Sequence, residues 1–385
     1  MNSFSNLRRQ LLMLGAGIYM SPCMAEQPYR NGLKHIVAKV FNINAPEFQT
    51  NDSARAAFKE MQTLGVTDVM MLESLYTKAS VQACLPLVGL KVWVICQVFY
   101  NDKFVGKNLE RQWAITENGT PAFENSPDGA WLRMLCPHGG TIKNPSLGFI
   151  RKHTDEIKNI VKHRPPDGIS LDFTRYFSYW EGITHKNQGR ALVDTCFCRT
   201  CLDLFEQQQN IQLPKFKSIQ KTAAWIHNKH QTEWTEFKTH SIANFVREFI
   251  DEIKTVSSHL QFNLHAVPWL TGEYDNARER IVGQSLADLI PHLDWISPMC
   301  YTQLMHKPSS WIKEVVDDFK LAGQSSHRFK IIPAIEVKTS ATKFEDNLNA
   351  LIASRADGVA FWPWESLSTT QKRMIYKLSN MSNLK

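Results

Sequence analysis

Short apolar runs alternate with longer amphipathic patterns along most of this chain. The short runs are rich in β-branched residues, which is typical of strands, and the longer segments carry apolar residues at helical spacing. Such alternation indicates parallel strands that are joined by crossover helices. The pattern predicts eight strands, over residues 35–44, 66–73, 92–100, 168–176, 262–269, 293–301, 330–337 and 358–364.

The helical patterns between these runs have recognisable ends. Residues 52–64 begin at an Asn/Asp cap and end before Gly65, and residues 146–163 end before two prolines. Residues 234–259 form a long pattern with Phe and Ile on one face. Further helices are predicted over 309–321 and 343–353. Eight strands with intervening helices predict an α/β fold, a (β/α)8 TIM barrel formed by a single domain.

Two connections are much longer than a crossover requires. One follows the third strand, over residues 101–141, and the other follows the fourth, over 177–233. Long loops in a compact domain usually carry function. Because loops that follow the strands of a barrel lie at its carboxyl end, where active sites form, we expect these two loops to contribute to a functional site.

Composition changes this picture in two ways. The chain has 385 residues, of which 43% are hydrophobic and 21% charged, and this length suits one barrel domain. The formal charge of +7 is spread along the chain without a block of like charges, so we expect no nucleic-acid partner. Eleven Trp and nine Tyr are more than a core needs, which favours a surface on which a partner stacks.

The first 25 residues have the three-part layout of a secretory signal. Arg8 and Arg9 precede an apolar run over residues 11–20, and the small residue Ala25 precedes Glu26. The paired arginines also permit a twin-arginine signal. No other apolar run approaches the ~20 residues that a membrane span requires. We therefore expect residues 1–25 to be a signal peptide and residues 26–385 to form the catalytic domain of a periplasmic or secreted protein.

One acidic residue lies near the end of the fourth predicted strand. Alternation places Ile169 and Leu171 on one side and Ser170 and Asp172 on the other. A carboxylate at the end of a buried strand costs several kcal/mol of desolvation unless it is paired or used. Asp172 is therefore predicted either to form an ion pair with Arg175 or to take part in catalysis, and the two roles are compatible.

A second carboxylate is predicted on the opposite side of the barrel. In residues 330–337, alternation directs Ala334 and Glu336 to the barrel axis. Two carboxylates across a barrel can flank a glycosidic bond, one protonating the leaving oxygen and the other attacking the sugar or directing water. We predict Asp172 and Glu336 as this pair, with their roles open. Other strand-end residues are predicted to bind substrate, since indole faces stack on sugar rings: Arg175, Tyr176, His265, Trp269, Tyr301, Trp362 and Trp364.

The cysteines give a separate signal. Cys196, Cys198 and Cys201 lie within six residues, and Cys136 ends the other long loop. Four thiolates predict a closed, structural zinc site that ties the two loops together. The alternative is disulfides, because an exported protein meets an oxidising compartment. Export in the folded state by the twin-arginine route favours zinc, since the metal would bind first. No cofactor is expected to be required for catalysis.

Several segments resemble a known family. The sequence DGISLDFTRY, followed by CFCRTC and DLF, resembles bacterial glycoside hydrolase-like TIM barrels, and LDWISPMCYTQ, IIPAIEV and DGVAFWPWESL are similar to their last three strands. An upstream cysteine followed by C-x-C-x-x-C resembles the zinc cluster of family 42 β-galactosidases. The resemblance spans residues 36–367 and implies a barrel that acts on carbohydrate, with Asp172 as the strand-four acid. The Asn-Glu pair of typical retaining barrels is replaced here by Leu171-Asp172.

The sequence therefore predicts an exported glycoside hydrolase that cleaves O-glycosidic bonds of an oligo- or polysaccharide. Retaining and inverting mechanisms both remain open. The alternative is a barrel that binds carbohydrate without cleaving it, in which the aromatic residues matter and the acids only form pairs. A zinc-dependent enzyme is a third interpretation, but clustered cysteines that are distant from the strand-end acids suit a structural metal better than a catalytic one.

Overall fold

The computed structural model describes residues 33–100, 113–122, 134–139, 149–182, 192–323 and 329–383. Within these ranges nine strand segments form one parallel sheet. The segments are β1 (His35–Val40), β2 (Asp68–Leu72), β3 (Lys91–Gln97), β4 (Gly168–Asp172), β5 (Gln261–Ala266), β6 (Trp295–Pro298), β7 (Lys330–Ile331), β8 (Ala334–Glu336) and β9 (Gly358–Trp362).

The sheet closes on itself because β7 and β8 are two halves of one barrel strand. β7 pairs with β6, β8 pairs with β9, and β9 pairs with β1. Between the halves, the Ile332 N–H donates to the Ile296 carbonyl at 2.9 Å, and the Pro333 carbonyl accepts from Ala360 at 2.9 Å. Pro333 has no N–H to contribute to the ladder, which explains the interruption. The eight predicted strands are thus confirmed as the eight strands of a TIM barrel.

Helices follow most of the strands. They are α1 (Asn51–Thr63), α2 (Glu73–Tyr76), α3 (Ala79–Gln82), α4 (Phe149–His163), α5 (Arg199–Gln209), α6 (Ile219–Lys229), α7 (Gln231–Lys254), α8 (Glu273–Arg280), α9 (Leu286–Leu289), α10 (Trp311–Ala322), α11 (Ala341–Ser354) and α12 (Thr369–Asn383). The five predicted helices are confirmed as α1, α4, α7, α10 and α11, although residues 146–148 lie outside the described ranges. No helix in those ranges combines the length and the apolar character needed to cross a membrane.

Aromatic rings fill the amino end of the barrel. The rings of Trp93 and Trp295 have centroids 4.2 Å apart, and the Trp93 indole N–H donates to Asp68 at 3.0 Å. A Cβ atom at Gly168 would lie 2.3 Å from the Trp93 ring. Only glycine therefore fits at the start of β4, where the strand backbone packs directly against the Trp93 ring.

Hydrogen bonds between neighbouring strands form the next layer. The Ser170 hydroxyl lies 2.9 Å from His265 Nε2 and accepts from the Asn263 amide at 2.8 Å, while the Ser297 hydroxyl donates to Asn263 at 2.9 Å. All four side chains are buried. This layer confirms that Ser170 faces the interior, so Asp172, two residues further along β4, emerges from the same side at the carboxyl end.

Several predicted strands are longer than the observed ones. The ladder of β4 ends at Asp172, and Phe173 adopts φ 51°, a left-handed conformation that turns the chain out of the sheet. Residues beyond the strands, such as Phe99 and Tyr176, are as buried as the strands themselves. An apolar pattern reports burial rather than pairing, which is why it continued past the strand ends. The predicted signal peptide, residues 1–25, lies outside the described ranges.

Candidate active site

A cavity of about 400 Å³ opens at the carboxyl end of the barrel. Its wall is formed by strand ends and by the loops that follow them. It includes four of the predicted site residues, Asp172, Arg175, Tyr301 and Trp362. The remaining lining residues are Lys39, Phe41, Gln97, Tyr100, Phe173, Tyr179, Trp180, Glu181, Met299 and Leu304.

Asp172 is a buried carboxylate with a charged partner. Its side chain ends β4, and the residue is 5% exposed. One oxygen accepts the N–H of Phe173 at 2.9 Å, and the other lies 3.6 Å from Lys39 Nζ. Burial is the largest single influence and opposes ionisation, but the charge of Lys39, together with weaker contributions from His265, the Phe173 N–H and Arg175, lowers the pKa of Asp172 overall. Asp172 is therefore ionised at neutral pH.

Lys39 was not among the predicted site residues. It emerges from β1, is 1% exposed, and lies 4.8 Å above the centroid of the Phe41 ring. Burial lowers the pKa of Lys39, and the Asp172 charge opposes that change. The sequence does contain a signal, because a lysine within the apolar run of the first strand must be paired if its side chain faces the interior.

The ion pair predicted between Asp172 and Arg175 is wrong. Arg175 Nη1 donates to the Ser178 carbonyl at 3.0 Å, and the guanidinium lies 5.4 Å from the centroid of the Phe173 ring. In the part of the chain that the structure describes, Lys39 is the residue that forms the ion pair with Asp172. Spacing along the sequence favoured Arg175, but the turn at Phe173 directs its side chain elsewhere. Arg175 still lines the cavity.

Glu181 is a second acid in the cavity wall that sequence reasoning missed. It lies on the short 3-10 turn Trp180–Gly182, within the long connection after β4. Its Oε2 atom is buried and has no hydrogen-bond partner among the described residues. Burial raises the pKa of Glu181 to about 7, although nearby Arg175 opposes the shift. No periodic pattern assigns a direction to side chains in such a loop, so the sequence contains no signal for this residue.

Glu336 lies at the end of β8, as predicted, but does not line the cavity. Its carboxylate accepts the backbone N–H groups of Gln303 and Leu304, the latter at 3.2 Å. Burial raises the pKa of Glu336, while these two hydrogen bonds and the charge of Lys343 oppose the rise. Leu304 is a lining residue, so Glu336 supports the cavity wall from the side of the loop after β6.

Aromatic rings form one side of the cavity. Tyr301 and Trp362 are stacked with centroids 4.7 Å apart, and Trp180 lies 5.9 Å from Tyr301. Tyr100 and Phe173 make a second stacked pair at 4.6 Å. The predictions that Tyr301 and Trp362 lie at the candidate site agree with this geometry.

The other predicted binding residues lie outside the cavity. Tyr176 is fully buried, and Lys238 Nζ lies 4.8 Å from the centroid of its ring. His265 belongs to the hydrogen-bonded layer inside the barrel, and burial lowers its pKa to about 3. Trp269 packs edge-on against Tyr274 at 5.7 Å.

Trp364 is also outside the cavity wall. It is buried, and its ring lies 6.5 Å from that of Phe361 in β9. The neighbouring Glu365 accepts the backbone N–H groups of Phe41 at 3.3 Å and of Asn42 at 2.7 Å. This segment therefore joins the loop after β9 to the loop after β1, at the carboxyl end of the barrel where the first and last strands pair.

The four predicted cysteine ligands form one cluster. The Sγ atom of Cys136 lies 3.5 Å from that of Cys198 and 3.3 Å from that of Cys201, and all four sulfurs, including that of Cys196, lie within 4.8 Å of one another. Tetrahedral zinc with Zn–S bonds of about 2.3 Å separates its sulfurs by about 3.8 Å. Among the described residues, none of the four is joined in a disulfide. The cluster thus joins the two long connections, and its donors suit zinc.

A buried ion pair holds the cysteine segment against α7. Asp194 forms an ion pair with Lys238 and accepts the Trp234 indole N–H at 2.9 Å, and it lies 3.1 Å from His227 Nε2. Lys238 also donates to the carbonyl of Ile281 at 2.7 Å. Burial opposes the ionisation of Asp194, but Lys238 outweighs it and the pKa is lowered.

Known structures share this architecture. The catalytic domain of β-amylase from Paenibacillus polymyxa superposes with a TM-score of 0.62 and 12% identity, over 92% of this chain and 100% of that domain. The β-galactosidase from Marinomonas ef1 has a TM-score of 0.61 and 10% identity over 90% of this chain, and the enzyme from Halorubrum lacusprofundi has 0.62 and 11% over 91%.

This chain spans 59% and 58% of the lengths of those two β-galactosidases. No family model matches it, and no curated protein matches it. At identities this low, the similarity to solved structures establishes the barrel fold.

Proposed function

We propose that this protein is an exported glycoside hydrolase that cleaves O-glycosidic bonds of an oligo- or polysaccharide. The observation that carries the proposal is the ionised, Lys39-paired carboxylate of Asp172, which lies in an aromatic-walled cavity at the carboxyl end of the barrel. This end is where TIM-barrel enzymes place their catalytic groups. The β-amylase and β-galactosidases of similar fold support the proposal at the level of architecture.

The cavity suits a sugar for two physical reasons. The indole of Trp362 is partly exposed and is backed by Tyr301, so it can stack on the apolar face of a pyranose ring. A volume of about 400 Å³ lies in the range of small-ligand sites. The Asp172 carboxylate can stabilise the positive charge that develops on the sugar ring as the glycosidic bond breaks. Its partner Lys39 keeps it ionised for that role.

A glycosidase also requires a second carboxyl group, and Glu336 is the partner that the sequence predicts. Its raised pKa is a property that a proton donor needs. Reaching a sugar in the cavity would require its carboxyl group to leave the N–H groups of Gln303 and Leu304. The pair of Asp172 and Glu336 thus stays a prediction from the sequence, which mutation of each residue can test.

Replacing Asp172 by Asn tests the proposed function. We expect Asp172→Asn to keep the fold and to lose hydrolysis by about 10³-fold or more, because the amide cannot replace the charge. The measurement is the release of reducing ends from a panel of bacterial and plant polysaccharides, with circular dichroism as the check on folding. Asp203→Asn, at an exposed site on α5, is the matched control.

Two results would contradict this function. Full activity of Asp172→Asn would remove Asp172 from the mechanism. A wild type that turns over no substrate, with glycan binding that survives loss of both Asp172 and Glu336, would instead establish the non-catalytic carbohydrate-binding barrel, in which the stacked rings of Tyr301 and Trp362 are the essential groups.

Export is part of the proposal and has its own test. The two arginines, the apolar run and Ala25 support cleavage before Glu26. We expect protein recovered from the periplasm or medium to begin at Glu26, as read by amino-terminal sequencing, and Arg8→Lys with Arg9→Lys to block export if the twin-arginine route is used. Mature protein that retains residues 1–25 would contradict the prediction.

A further inference from the structure

We propose that Glu181 donates the proton to the leaving oxygen, with Asp172 as the ionised carboxylate that acts on the sugar. This inference rests on the proposed glycosidase function and names the donor within it. Both residues line the same cavity, Asp172 at the end of β4 and Glu181 on the turn Trp180–Gly182 that follows. One strand and the loop after it therefore place two carboxyl groups against one substrate.

The charges around Glu181 come from several elements. Arg175 and Asp172 from the β4 end act on it directly, and Tyr301 from the loop after β6 lies close enough to interact with it. Lys39 from β1 faces the same cavity. Burial is the largest influence and raises the pKa of Glu181 to about 7, while Arg175 opposes and Asp172 adds to the rise.

The two acids therefore hold their protons differently. Asp172 is ionised because of Lys39, and Glu181 retains its proton up to about neutral pH because of burial. Two titratable groups in one site whose environments separate their pKa values are the usual arrangement of a nucleophile or base with an acid. The cavity thus contains both forms of carboxyl group that glycoside hydrolysis needs.

Hydrogen bonding separates Glu181 from Glu336 as the candidate donor. The Glu336 carboxylate accepts two backbone N–H groups, which favour the ionised form and occupy its oxygens. Glu181 accepts only its own backbone N–H, whose effect on the pKa is smaller than that of burial, and its Oε2 atom has no partner among the described residues. A general acid must hold its proton within hydrogen-bond reach of the leaving oxygen, and Glu181 is the one of the two that lines the cavity.

The proposed step conserves every atom and charge. The Glu181 O–H bond breaks and its proton moves to the glycosidic oxygen, while the bond between that oxygen and the anomeric carbon breaks and its electron pair stays on oxygen. Asp172 then either bonds to the anomeric carbon, followed by hydrolysis of that ester by water, or takes a proton from a water that bonds there. In the first route Glu181 takes its proton back from the water that hydrolyses the ester. In the second route Asp172 releases the proton from water to the solvent and Glu181 takes one from the solvent, so each route consumes one water.

The test compares substrates whose leaving groups differ in their need for a proton. The probes are 2,4-dinitrophenyl and methyl glycosides of common hexoses and pentoses in both anomers, with matching oligosaccharides. We expect Glu181→Gln to lose about 10² to 10⁴-fold on the methyl glycoside or oligosaccharide and to keep most of its rate on the dinitrophenyl glycoside. Asp172→Asn is expected to lose both rates. Glu345→Gln, at an exposed site on α11, is the control.

The pH profile adds a readout that a structural role would not change. Because the donor must be protonated, kcat/KM of the wild type on the oligosaccharide should fall as pH rises through about 7. Glu181→Gln should lack this fall on the dinitrophenyl glycoside. Difference infrared spectra of wild type minus Glu181→Gln should show a carboxylic acid band that disappears near the same pH.

The outcomes separate the inference from the function on which it rests. An active wild type with Glu181→Gln equally active on both leaving groups, or with Glu336→Gln showing the leaving-group dependence instead, overturns the role of Glu181 alone. An infrared midpoint near pH 4 also overturns it. A wild type that is inactive on every glycoside overturns the proposed function, and the donor role with it.

Discussion

The two carboxyl groups in the cavity differ because their immediate neighbours differ. The Asp172 carboxylate lies 3.6 Å from the Lys39 ammonium group. Glu181 has the guanidinium of Arg175 nearby, but Arg175 donates to the Ser178 carbonyl, and the Glu181 Oε2 atom has no hydrogen-bond partner among the described residues. Burial by itself would raise the pKa of both acids. The charge of Lys39, with weaker contributions from neighbouring groups, therefore outweighs burial at Asp172, whereas burial prevails at Glu181.

His265 illustrates the cost of burying a titratable group without a charged partner. Burial lowers its pKa to about 3, below the ~6.5 of an unfolded histidine. Between these values the unfolded chain binds a proton that the folded protein does not. His265 therefore does not reduce the free energy of unfolding above pH 6.5, but it reduces it progressively as pH falls from 6.5 toward 3.

We expect this linkage to be measurable. Between pH 6.5 and 4, His265 should reduce the free energy of unfolding by about 1.4 kcal/mol per pH unit, and His265→Asn should remove that slope. Urea unfolding midpoints at pH 7 and pH 5 measure the change. His163→Asn, at an exposed site on α4, provides the comparison. Equal slopes in wild type and His265→Asn would show that His265 is protonated in the folded protein.

Among the elements, α7 is the support for the cysteine segment. Lys238 on α7 is fully buried, pairs with Asp194, and donates to carbonyl groups that follow α8. A single side chain thus links a helix with two loops at the carboxyl end of the barrel. The position of the cysteine cluster depends on this pair as well as on the thiols.

Removing one member of that pair should be more costly than removing both. We expect Lys238→Met to lower the free energy of unfolding by about 3–5 kcal/mol, because it leaves the Asp194 charge buried without compensation. The double variant Lys238→Met with Asp194→Asn should recover part of this loss. Denaturant unfolding of the three proteins measures both effects. A single variant that loses less than the double would contradict this explanation.

The whole molecule is a closed barrel whose two long connections meet at the cysteine cluster. We propose that zinc binds there as a structural ion, held by Cys136, Cys196, Cys198 and Cys201. Because such a site exists only in the folded protein, the free energy of zinc binding would add to the free energy of folding.

Chelation distinguishes zinc from disulfides. We expect purified protein to contain about one zinc per chain and its Tm to fall on treatment with a strong chelator, with Cys198→Ser losing both the zinc and the response. Cys84→Ser, at a buried cysteine outside the cluster, should keep both. A protein that contains no zinc and loses stability on reduction instead would establish disulfides.

Local patterns in the chain were enough to predict the barrel, the inward face of β4 and the grouping of the four cysteines. Local alternation records which face of a strand is buried, and it therefore located Asp172 and Glu336 at strand ends correctly. It could not choose between Lys39 and Arg175 as the partner of Asp172, since the distance between side chains on different strands follows from the closure of the sheet.

Which side chains line the cavity follows from tertiary packing. Tyr176 and Trp269 follow strands just as Tyr301 does, yet they pack beneath loops, because the turn after each strand sets the direction of the chain. Glu181 is the opposite case, a residue that lines the cavity although no sequence pattern predicts it. Its loop has no periodicity, so its place beside Asp172, and the burial that raises its pKa, arise from packing that no local pattern encodes.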